Sequence, residues 1–481
     1  MLSMAKEHSS FTDRPSAGGV LWIILALVGL CVLVIFADRP LWFAAIATAT
    51  VLVLSVLANP IVGVLALFAL GMLGDLQHLA NFPSLSVLLV PCVAVGFAVK
   101  SQTEKWPTRN QLVMWLFLFT VMYCAGMCSG LKDAGELARP AIFAGYVVGF
   151  FLVLNIVRTR KEIKMAFFAV AIGAAIVSFA LITQWLGMET PLSLLSRPDL
   201  PMSGFEAAKG VERTLGFARD PNAAAYPCIL ASPVLLALAS TTKRLWARLV
   251  IIALFGATVV GLATTQSLSG DLGLGVSLTL FILLARARAR FWLVPVLVIL
   301  FGLAITYLPV SDFTARFASA QNTYQTDRKV QYEVGYALFE QHPLLGPGEE
   351  AFIAEMSTRS DLYVLPHSNL LSVLTVSGLV GFVPLLCFIL GYARFLFRYW
   401  PKLKDRTLKL YAAGAIAAVA GIHAQGMFIC NMGWFSLWAM TAIPICALLA
   451  DEERIPDPTT VHYGAYQIWR RTGCRSEVSV L

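Results

Sequence analysis

Long apolar runs, repeated from near residue 20 to residue 450, constrain this chain more than any other feature. Most runs are roughly 15–20 residues long, and a helix of about 20 apolar residues crosses the ~30 Å hydrocarbon core of a bilayer. The chain is 58% hydrophobic and only 13% charged, whereas soluble domains carry about 25% charged residues. The sequence therefore predicts an all-α, polytopic membrane protein, with a membrane domain at 20–450 between polar tails at 1–19 and 451–481.

We expect about fourteen transmembrane helices. None of the predicted spans contains lysine or arginine, and the third is short because it follows a tight turn at Asn59-Pro60. The spans are placed near 20–37, 41–58, 61–74, 84–99, 112–128, 141–157, 166–186, 223–240, 249–265, 270–285, 291–308, 367–393, 410–428 and 433–450.

The distribution of basic residues predicts the orientation of the chain. When the N-terminus is placed in the cytoplasm, most of the 36 lysines and arginines fall on the cytoplasmic side, including the runs at 158–164 and 286–290. Cytoplasmic loops of membrane proteins carry such an excess. We therefore expect both termini in the cytoplasm. The net charge of +8 reflects this topology and is not a nucleic-acid signal.

The predicted outer side carries two long loops, at 187–222 and 309–366. Loops of this length in a compact protein usually serve a function, so we place the active face there. The two loops contain no cysteine, and the chain shows neither a metal-type cysteine spacing nor a phosphate-binding glycine loop. The sequence predicts no cofactor and no metal site.

The first outer loop ends with two arginines, Arg213 and Arg219, close to the mouth of the next span. Guanidinium groups bind phosphates through paired hydrogen bonds, so this segment is a candidate anion site. The alternative is a surface ion pair with Glu206 or Glu212. Asp220-Pro221-Asn222 is interpreted as the turn and cap that start the next span.

The second outer loop contains a predicted amphipathic helix. Val330, Val334 and Leu338 recur at helical spacing, which is typical of a helix lying along a membrane surface. The helix is expected to end at His342-Pro343, before a forced turn at 346–348. Arg328 lies at its start, where a structural arginine is disfavoured by the positive end of the helix dipole. That mismatch favours a ligand-binding role for Arg328.

His367 begins the next apolar run, and two glycines follow it. The eleven residues from His367 to Gly378 bring the two within about 20° of one helix face, and Gly381 lies close to the same stripe. Such glycines let a helix or a lipid approach closely. At the positive end of the helix dipole the ring is kept neutral and can accept a proton as a general base. The alternative is a capping, hydrogen-bonded histidine.

These motifs resemble those of the bacterial O-antigen ligases and the related O-antigen and exopolysaccharide polymerases. The resemblance is carried by a motif in which His367-Ser368 is followed after nine residues by Gly378 and after two more by Gly381. The arginine segments before this motif also contribute to it. It covers about 205–395. One departure is "SLSG" at 267–270, where family members often have Ser-Arg-Gly.

The resemblance implies a bacterial inner-membrane glycosyltransferase with its active face in the periplasm. The donor would be an undecaprenyl-diphosphate-linked glycan and the acceptor a hydroxyl of a glycan or of lipid A-core. His367 would be catalytic, and Arg213, Arg328 and Arg219 would bind the diphosphate without a metal. Membrane lipids, chain-length regulators and export proteins are the expected partners. Ligase and polymerase stay open, and a transporter or flippase of lipid-linked glycan, or a structural subunit of an export complex, are alternatives.

Overall fold

The protein is a helical bundle in the computed structural model, which describes residues 51–73, 85–100, 111–129, 137–188, 214–218, 220–285, 325–359, 367–430 and 432–452. Within these ranges all regular elements are helices, as the sequence predicts. In chain order they are α1 (Pro60–Leu70), α2 (Leu85–Lys100), α3 (Gln111–Cys128), α4 (Ala138–Ile156), α5 (Arg160–Trp185), α6 (Pro221–Thr241), α7 (Leu245–Thr265), α8 (Leu268–Leu284), α9 (Gln325–Gln341), α10 (Glu349–Arg359), α11 (Asn369–Tyr399), α12 (Arg406–Gln425) and α13 (Phe435–Glu452). Residues 51–58 are also helical.

Seven of the described helices are long and apolar enough to cross a membrane, namely α3 to α7, α11 and α12. Four shorter apolar helices accompany them, at Pro60–Leu70, Leu89–Val99, Leu268–Leu284 and Phe435–Asp451. The predicted spans from 61–74 to 270–285, and the last three, each coincide with a described helix. The spans at 20–37 and 291–308 and most of 41–58 lie outside the described residues, so the total of fourteen stays a prediction.

One end of the bundle, which we call the loop face, gathers the C-terminal ends of α5, α7 and α12 and the N-terminal ends of α6, α8 and α11. Hydrogen bonds between these ends establish it, for example from Ser267 Oγ to Asn222 Oδ1 at 2.7 Å and from Gln425 Nε2 to the Asn222 carbonyl at 2.7 Å. The alternation follows from short connections between antiparallel helices. Both predicted outer loops emerge at this end.

The opposite end, which we call the basic end, is built around two aspartates. Asp451 accepts hydrogen bonds from the backbone N–H groups of Lys404 at 2.6 Å and Asp405 at 3.1 Å. Asp405 caps α12 and pairs with Arg160 at 3.3 Å. The basic runs at 158–164 and 394–409 lie here, so the described part of the chain keeps its positive clusters at one end of the bundle.

The central helix of the bundle is α6, which is buried along nearly its whole length between α5, α7, α8 and α12. Its two internal prolines, Pro227 and Pro233, are both buried. Proline interrupts the helical hydrogen bonds, and buried neighbours make such a break tolerable in a membrane protein. Because α6 is enclosed, its N-terminal end is held in a fixed position at the loop face.

The helices α8 and α12 cross at a pair of glycines. A Cβ atom on Gly273 would lie 2.8 Å from the Gly421 carbonyl oxygen, and one on Gly421 would lie 2.6 Å from the Gly273 carbonyl oxygen. Small residues allow this close backbone contact, on which helix association in lipid depends. Within the glycine-rich stretch at 270–277, Gly273 therefore serves helix packing.

Replacing Gly273 with alanine tests this contact. The added methyl group has to push α8 away from α12, and overpacking of this kind costs about 1–3 kcal/mol of stability. The matched control is Gly275→Ala in the same helix, where a Cβ meets nothing within 4 Å and alanine is the better helix former. We expect thermal unfolding in detergent to occur at a lower temperature for Gly273→Ala only. Equal midpoints for the two variants contradict the packing role.

Candidate functional site

His367 lies at the loop face, immediately before the N-terminal cap of α11. Ser368 is the cap, and its side chain accepts a hydrogen bond from the backbone N–H of Leu371. The backbone N–H of His367 donates to Gln331 Oε1 of α9 at 3.0 Å, and the His367 side chain is half-buried. The predicted cap position is therefore correct, and His367 has a second anchor that the sequence pattern does not reveal.

The residue after the cap is anchored to a different helix. The backbone N–H of Asn369 donates to the Gly426 carbonyl at the end of α12, over 2.7 Å. Two N–H groups in three residues are thus fixed by groups from α9 and α12. This segment of backbone is held from two sides, which restricts the positions that the His367 ring can take.

A junction around Asn222 connects α12 to the first outer loop. The Asn222 side-chain oxygen accepts hydrogen bonds from Ser267 at 2.7 Å and Ser269 at 3.3 Å, while its carbonyl accepts from Gln425. Asp220 caps α6, as expected. The junction brings the N-terminal ends of α6 and α8 together. Helix N-termini carry partial positive charge and favour anions nearby.

Arg213 and Arg219 lie outside the described residues, but the segment between them is described. The Thr214 hydroxyl bonds the Thr264 hydroxyl at the end of α7, at 2.8 Å. Gln184 Oε1, at the end of α5, accepts from the N–H groups of Leu215 and Gly216, both at 2.9 Å. The turn that carries the predicted diphosphate-binding arginines is therefore fixed to the loop face. The roles of these two arginines stay predictions.

Arg328 lies in α9, one helical turn before Gln331, which binds the backbone of His367. Residues three apart on a helix are neighbours, with Cβ atoms about 5–6 Å apart. Arg328 therefore belongs to the helix whose Gln331 binds the backbone of the predicted histidine. The proximity of the two side chains and the binding role of Arg328 stay predictions.

The helix α9 differs from the expectation of a helix lying on the membrane with its apolar side in lipid. Val334 and Leu338 are buried against Phe352 and Met356 of α10. Protein, and not lipid, therefore covers this apolar face. The helical spacing correctly indicates the helix and its apolar face, but it does not distinguish between the two kinds of apolar surroundings.

Gly378 interrupts α11 and does not lie in a regular helical stripe. Its backbone has φ 58° and ψ −158°, and the N–H groups of the next two residues donate to the carbonyls of Pro343 at 2.9 Å and Leu344 at 3.0 Å. A side chain on Gly378 would strike Leu344 and Gly346. The angular relation between His367 and Gly378, which assumes an unbroken helix, does not hold, because the loop at 342–348 enters α11 at this glycine.

The turn at 346–348 fits between α11 and α3. Gly346 and Gly348 have φ angles of 69° and 93°, which side chains rarely tolerate. A Cβ on Gly348 would lie 2.8 Å from the Ser129 carbonyl oxygen of α3. Gly381 is buried, and a Cβ there would meet Ser377 of its own helix. In the structure Gly378 admits a loop; a lipid groove at the two motif glycines stays a prediction.

A second polar cluster lies where α3, α10 and α11 meet. The Tyr123 hydroxyl bonds Ser372 Oγ at 3.1 Å, and Cys430 Sγ approaches the same oxygen at 3.7 Å. The Glu349 carboxylate, at the start of α10, pairs with Arg139 at 2.8 Å. Burial raises the pKa of the Glu349 carboxyl above its ordinary value of 4.5, and the Arg139 guanidinium offsets only part of this effect.

A small apolar cavity of about 10 Å³ lies beside the turn at 214–218. It lies between the end of α1, the start of α6 and the start of α13. Its lining residues are Met72, Leu73, Val177, Leu215, Phe217, Ala218, Ala223, Ala224, Pro227 and Trp434. The cavity has room for about one water molecule, so the apolar side chains pack closely around this turn.

Among the described residues no group of three or more His, Cys, Asp or Glu side chains is placed to hold a metal ion. The described part of the loop face brings together an imidazole and several helix N-termini. Such a site can accept a proton from a hydroxyl and can stabilise an anionic leaving group.

Sequence reasoning missed Gln331 and Gln184, whose amides help to fix the loop face. Glutamine in or beside an apolar segment carries no motif by itself. The usable signal is that Gln331 interrupts the apolar face of α9, since the neighbouring positions 330, 334 and 338 are apolar. A buried polar side chain in such a place needs a hydrogen-bond partner.

Comparison with known families identifies one match: residues 253–386 match the O-antigen ligase family. The match contains Arg328, His367, Gly378 and Gly381 and ends before α12. It confirms the resemblance that the histidine–glycine motif indicates. No curated protein sequence matches the chain at significant similarity.

The buried carboxyl of Glu349 predicts a specific pH dependence of stability. Its pKa is raised in the folded protein, so the free energy of unfolding falls as the pH rises from 4.5 through that raised value. Glu349→Gln lacks this loss while keeping a hydrogen-bonding oxygen for Arg139. We therefore expect the unfolding temperature of the variant, relative to the unmodified protein, to increase with pH across this window.

The control for this pH series is Glu340→Gln, since Glu340 is exposed at the end of α9. Unfolding is followed in detergent between about pH 4 and 8, the range that contains the relevant titration. The pH dependence measured for Glu340→Gln is subtracted, so that only the change specific to position 349 is compared. If the difference in unfolding temperature between Glu349→Gln and the unmodified protein stays constant or decreases with pH, burial is not the main influence on the pKa of the Glu349 carboxyl.

Proposed function

We propose that this chain, which the match over residues 253–386 assigns to the O-antigen ligase/polymerase family, transfers a glycan from undecaprenyl diphosphate to an acceptor hydroxyl at the periplasmic face. The family assignment and the apolar helices support a membrane glycosyltransferase in broad terms. The lipid-diphosphate donor, the acceptor and the membrane side are the finer part of the proposal. In this reading the loop face is periplasmic and the basic end is cytoplasmic, as the positive-inside rule requires.

The proposed reaction is a single displacement at the anomeric carbon. The acceptor oxygen forms a bond to that carbon, and the bond from the same carbon to the diphosphate oxygen breaks. The acceptor proton passes to the His367 imidazole, and undecaprenyl diphosphate leaves with the bonding electrons. The negative charge on the leaving group then needs nearby positive charge, while the hydroxyl needs an acceptor for its proton.

The observation that carries this proposal is the hydrogen bond between the His367 backbone and Gln331. It joins the α11 N-terminus, with the proposed base, to the helix that contains Arg328. In the proposal Arg328, Arg213 and Arg219 bind the diphosphate. The convergent N-termini of α6, α8 and α11 add positive potential.

Ligase and polymerase differ in the acceptor, which a glycan phenotype identifies. A deletion strain of a polymerase loses long chains but keeps a single repeat unit attached. A deletion strain of a ligase loses all attachment and accumulates free lipid-linked polymer. The chemistry at the donor is the same in both cases, so the roles proposed for His367 and the arginines apply to either.

His367→Gln tests the proposed base directly. Glutamine keeps hydrogen-bonding capacity at the position but does not accept the hydroxyl proton, and loss of a general base lowers the rate about 10²–10⁴-fold. Transfer is measured with protein reconstituted in vesicles, purified lipid-linked donor and acceptor on one side only. The variant is expected to unfold at the same temperature as the unmodified protein. Near-normal transfer by His367→Gln removes the histidine from the mechanism.

Arg328→Ala tests the proposed diphosphate contact, and the chain supplies a matched control in the next residue. Lys329 is exposed and pairs only loosely with Glu333, at 3.6 Å. Both substitutions remove one positive charge from α9. If Arg328 stabilises the leaving group, its loss lowers transfer by about 10²–10³-fold, whereas Lys329→Ala leaves the rate unchanged. If both variants lose transfer equally, only the overall charge of α9 matters. If both transfer glycan at the normal rate, Arg328 has no role in the reaction.

A further inference from the structure

Gln331 occupies a position on α9 where an apolar side chain is the ordinary choice. Positions 331, 334, 335 and 338 share one helix face, and at 334 and 338 valine and leucine are buried against α10. The Gln331 side chain is itself almost fully enclosed, with 2% of its surface exposed. A polar amide in such a place loses its contacts with water and must regain them inside the protein.

The oxygen of the Gln331 amide is hydrogen-bonded to the His367 backbone. Gln331 Oε1 accepts the His367 N–H at 3.0 Å, and this N–H precedes the cap of α11, so no turn of that helix supplies a partner for it. The hydrogen bond therefore fixes the residue that carries the imidazole. It does so from the same helix that contains Arg328, one turn away.

The helix α9 also has contacts at the loop face that do not involve Gln331. Leu371 of α11 lies against Gly335, where an added Cβ would be 3.0 Å from it, and the Tyr332 hydroxyl reaches the Met427 carbonyl, just after α12, at 3.5 Å. The Gln331 amide is thus not the only attachment of the helix. Its specific effect is on the placement of His367 relative to α9.

We infer that Gln331 is a positioning residue that sets the distance between the His367 imidazole and the diphosphate-binding part of α9. This inference rests on the proposed function. Its chemical content is that the acceptor hydroxyl, held by His367, and the leaving diphosphate, held by α9, must be aligned across one anomeric carbon. Misplacement of reacting groups by about 1 Å can lower a rate on the order of 100-fold.

Three substitutions separate this role from a general effect on folding. Gln331→Met keeps the length and the apolar contacts but removes the acceptor. Gln331→Glu keeps an oxygen at the same reach and is the comparison for the exchange measurement. Gln341→Met makes the same chemical change at the exposed end of α9 and is the control. Should Gln331→Met fail to fold, Gln331→Asn, whose amide is one carbon shorter, takes its place.

Two readouts are required, and only one of them depends on catalysis. Hydrogen exchange at the backbone amide of His367, measured by mass spectrometry on the protein in detergent, is expected to be faster in Gln331→Met and unchanged in Gln331→Glu and Gln341→Met. In the transfer assay, kcat of Gln331→Met falls on the order of 10- to 100-fold, while KM for the lipid-linked donor is unchanged.

The inference is overturned if Gln331→Met transfers glycan at the normal rate or if exchange at His367 does not respond. A rise in donor KM with constant kcat also overturns it, since that result assigns Gln331 to donor binding. If the unmodified protein transfers no glycan, the proposed function fails. The exchange measurement then still decides whether Gln331 fixes His367.

Discussion

The loop face depends on one physical constraint: buried backbone groups at helix ends must find hydrogen-bond partners where water is scarce. Side-chain amides meet this need at three places. Gln184 binds the turn at 214–218, Gln425 binds the Asn222 carbonyl, and Gln331 binds the His367 backbone. Each amide joins elements that are distant in the sequence. The ends of the helices are therefore positioned relative to one another by specific bonds, which bulk hydrophobic packing cannot provide.

The helical fold was predictable because it depends on local features of the sequence, namely the length of the apolar runs and the absence of basic residues from them. Each predicted span within the described residues coincides with a helix, and the basic runs at 158–164 and 394–409 share one end of the bundle. The spacing of apolar residues also indicates α9, and Asp220 caps α6 as expected. These features depend on a few neighbouring residues and on the thickness of a bilayer. They require no knowledge of which helices pack together.

The details of the site depend on contacts between remote segments, which periodicity does not encode. The face relation between His367 and Gly378 assumes an uninterrupted helix, but the loop at 342–348 supplies the partners of two N–H groups and lets the chain leave helical geometry at Gly378. Glycine tolerates this conformation, and any side chain there would strike Leu344. The spacing of the motif is therefore compatible with a continuous helix face and with a loop insertion at Gly378. Residue types alone do not distinguish these two structures.

The break at Gly378 also explains how α11 can combine a first part fixed by hydrogen bonds with a second part that is an apolar helix. Its first part, from the Ser368 cap to Ser377, is fixed to α9, α12 and α3 by hydrogen bonds at His367, Asn369 and Ser372. Its second part continues as an apolar helix to Tyr399. Because the loop at 342–348 takes over the N–H groups after the break, the first part is oriented independently of the second. A rigid segment that carries His367 can thus be built on a membrane helix without its direction being dictated by the bilayer.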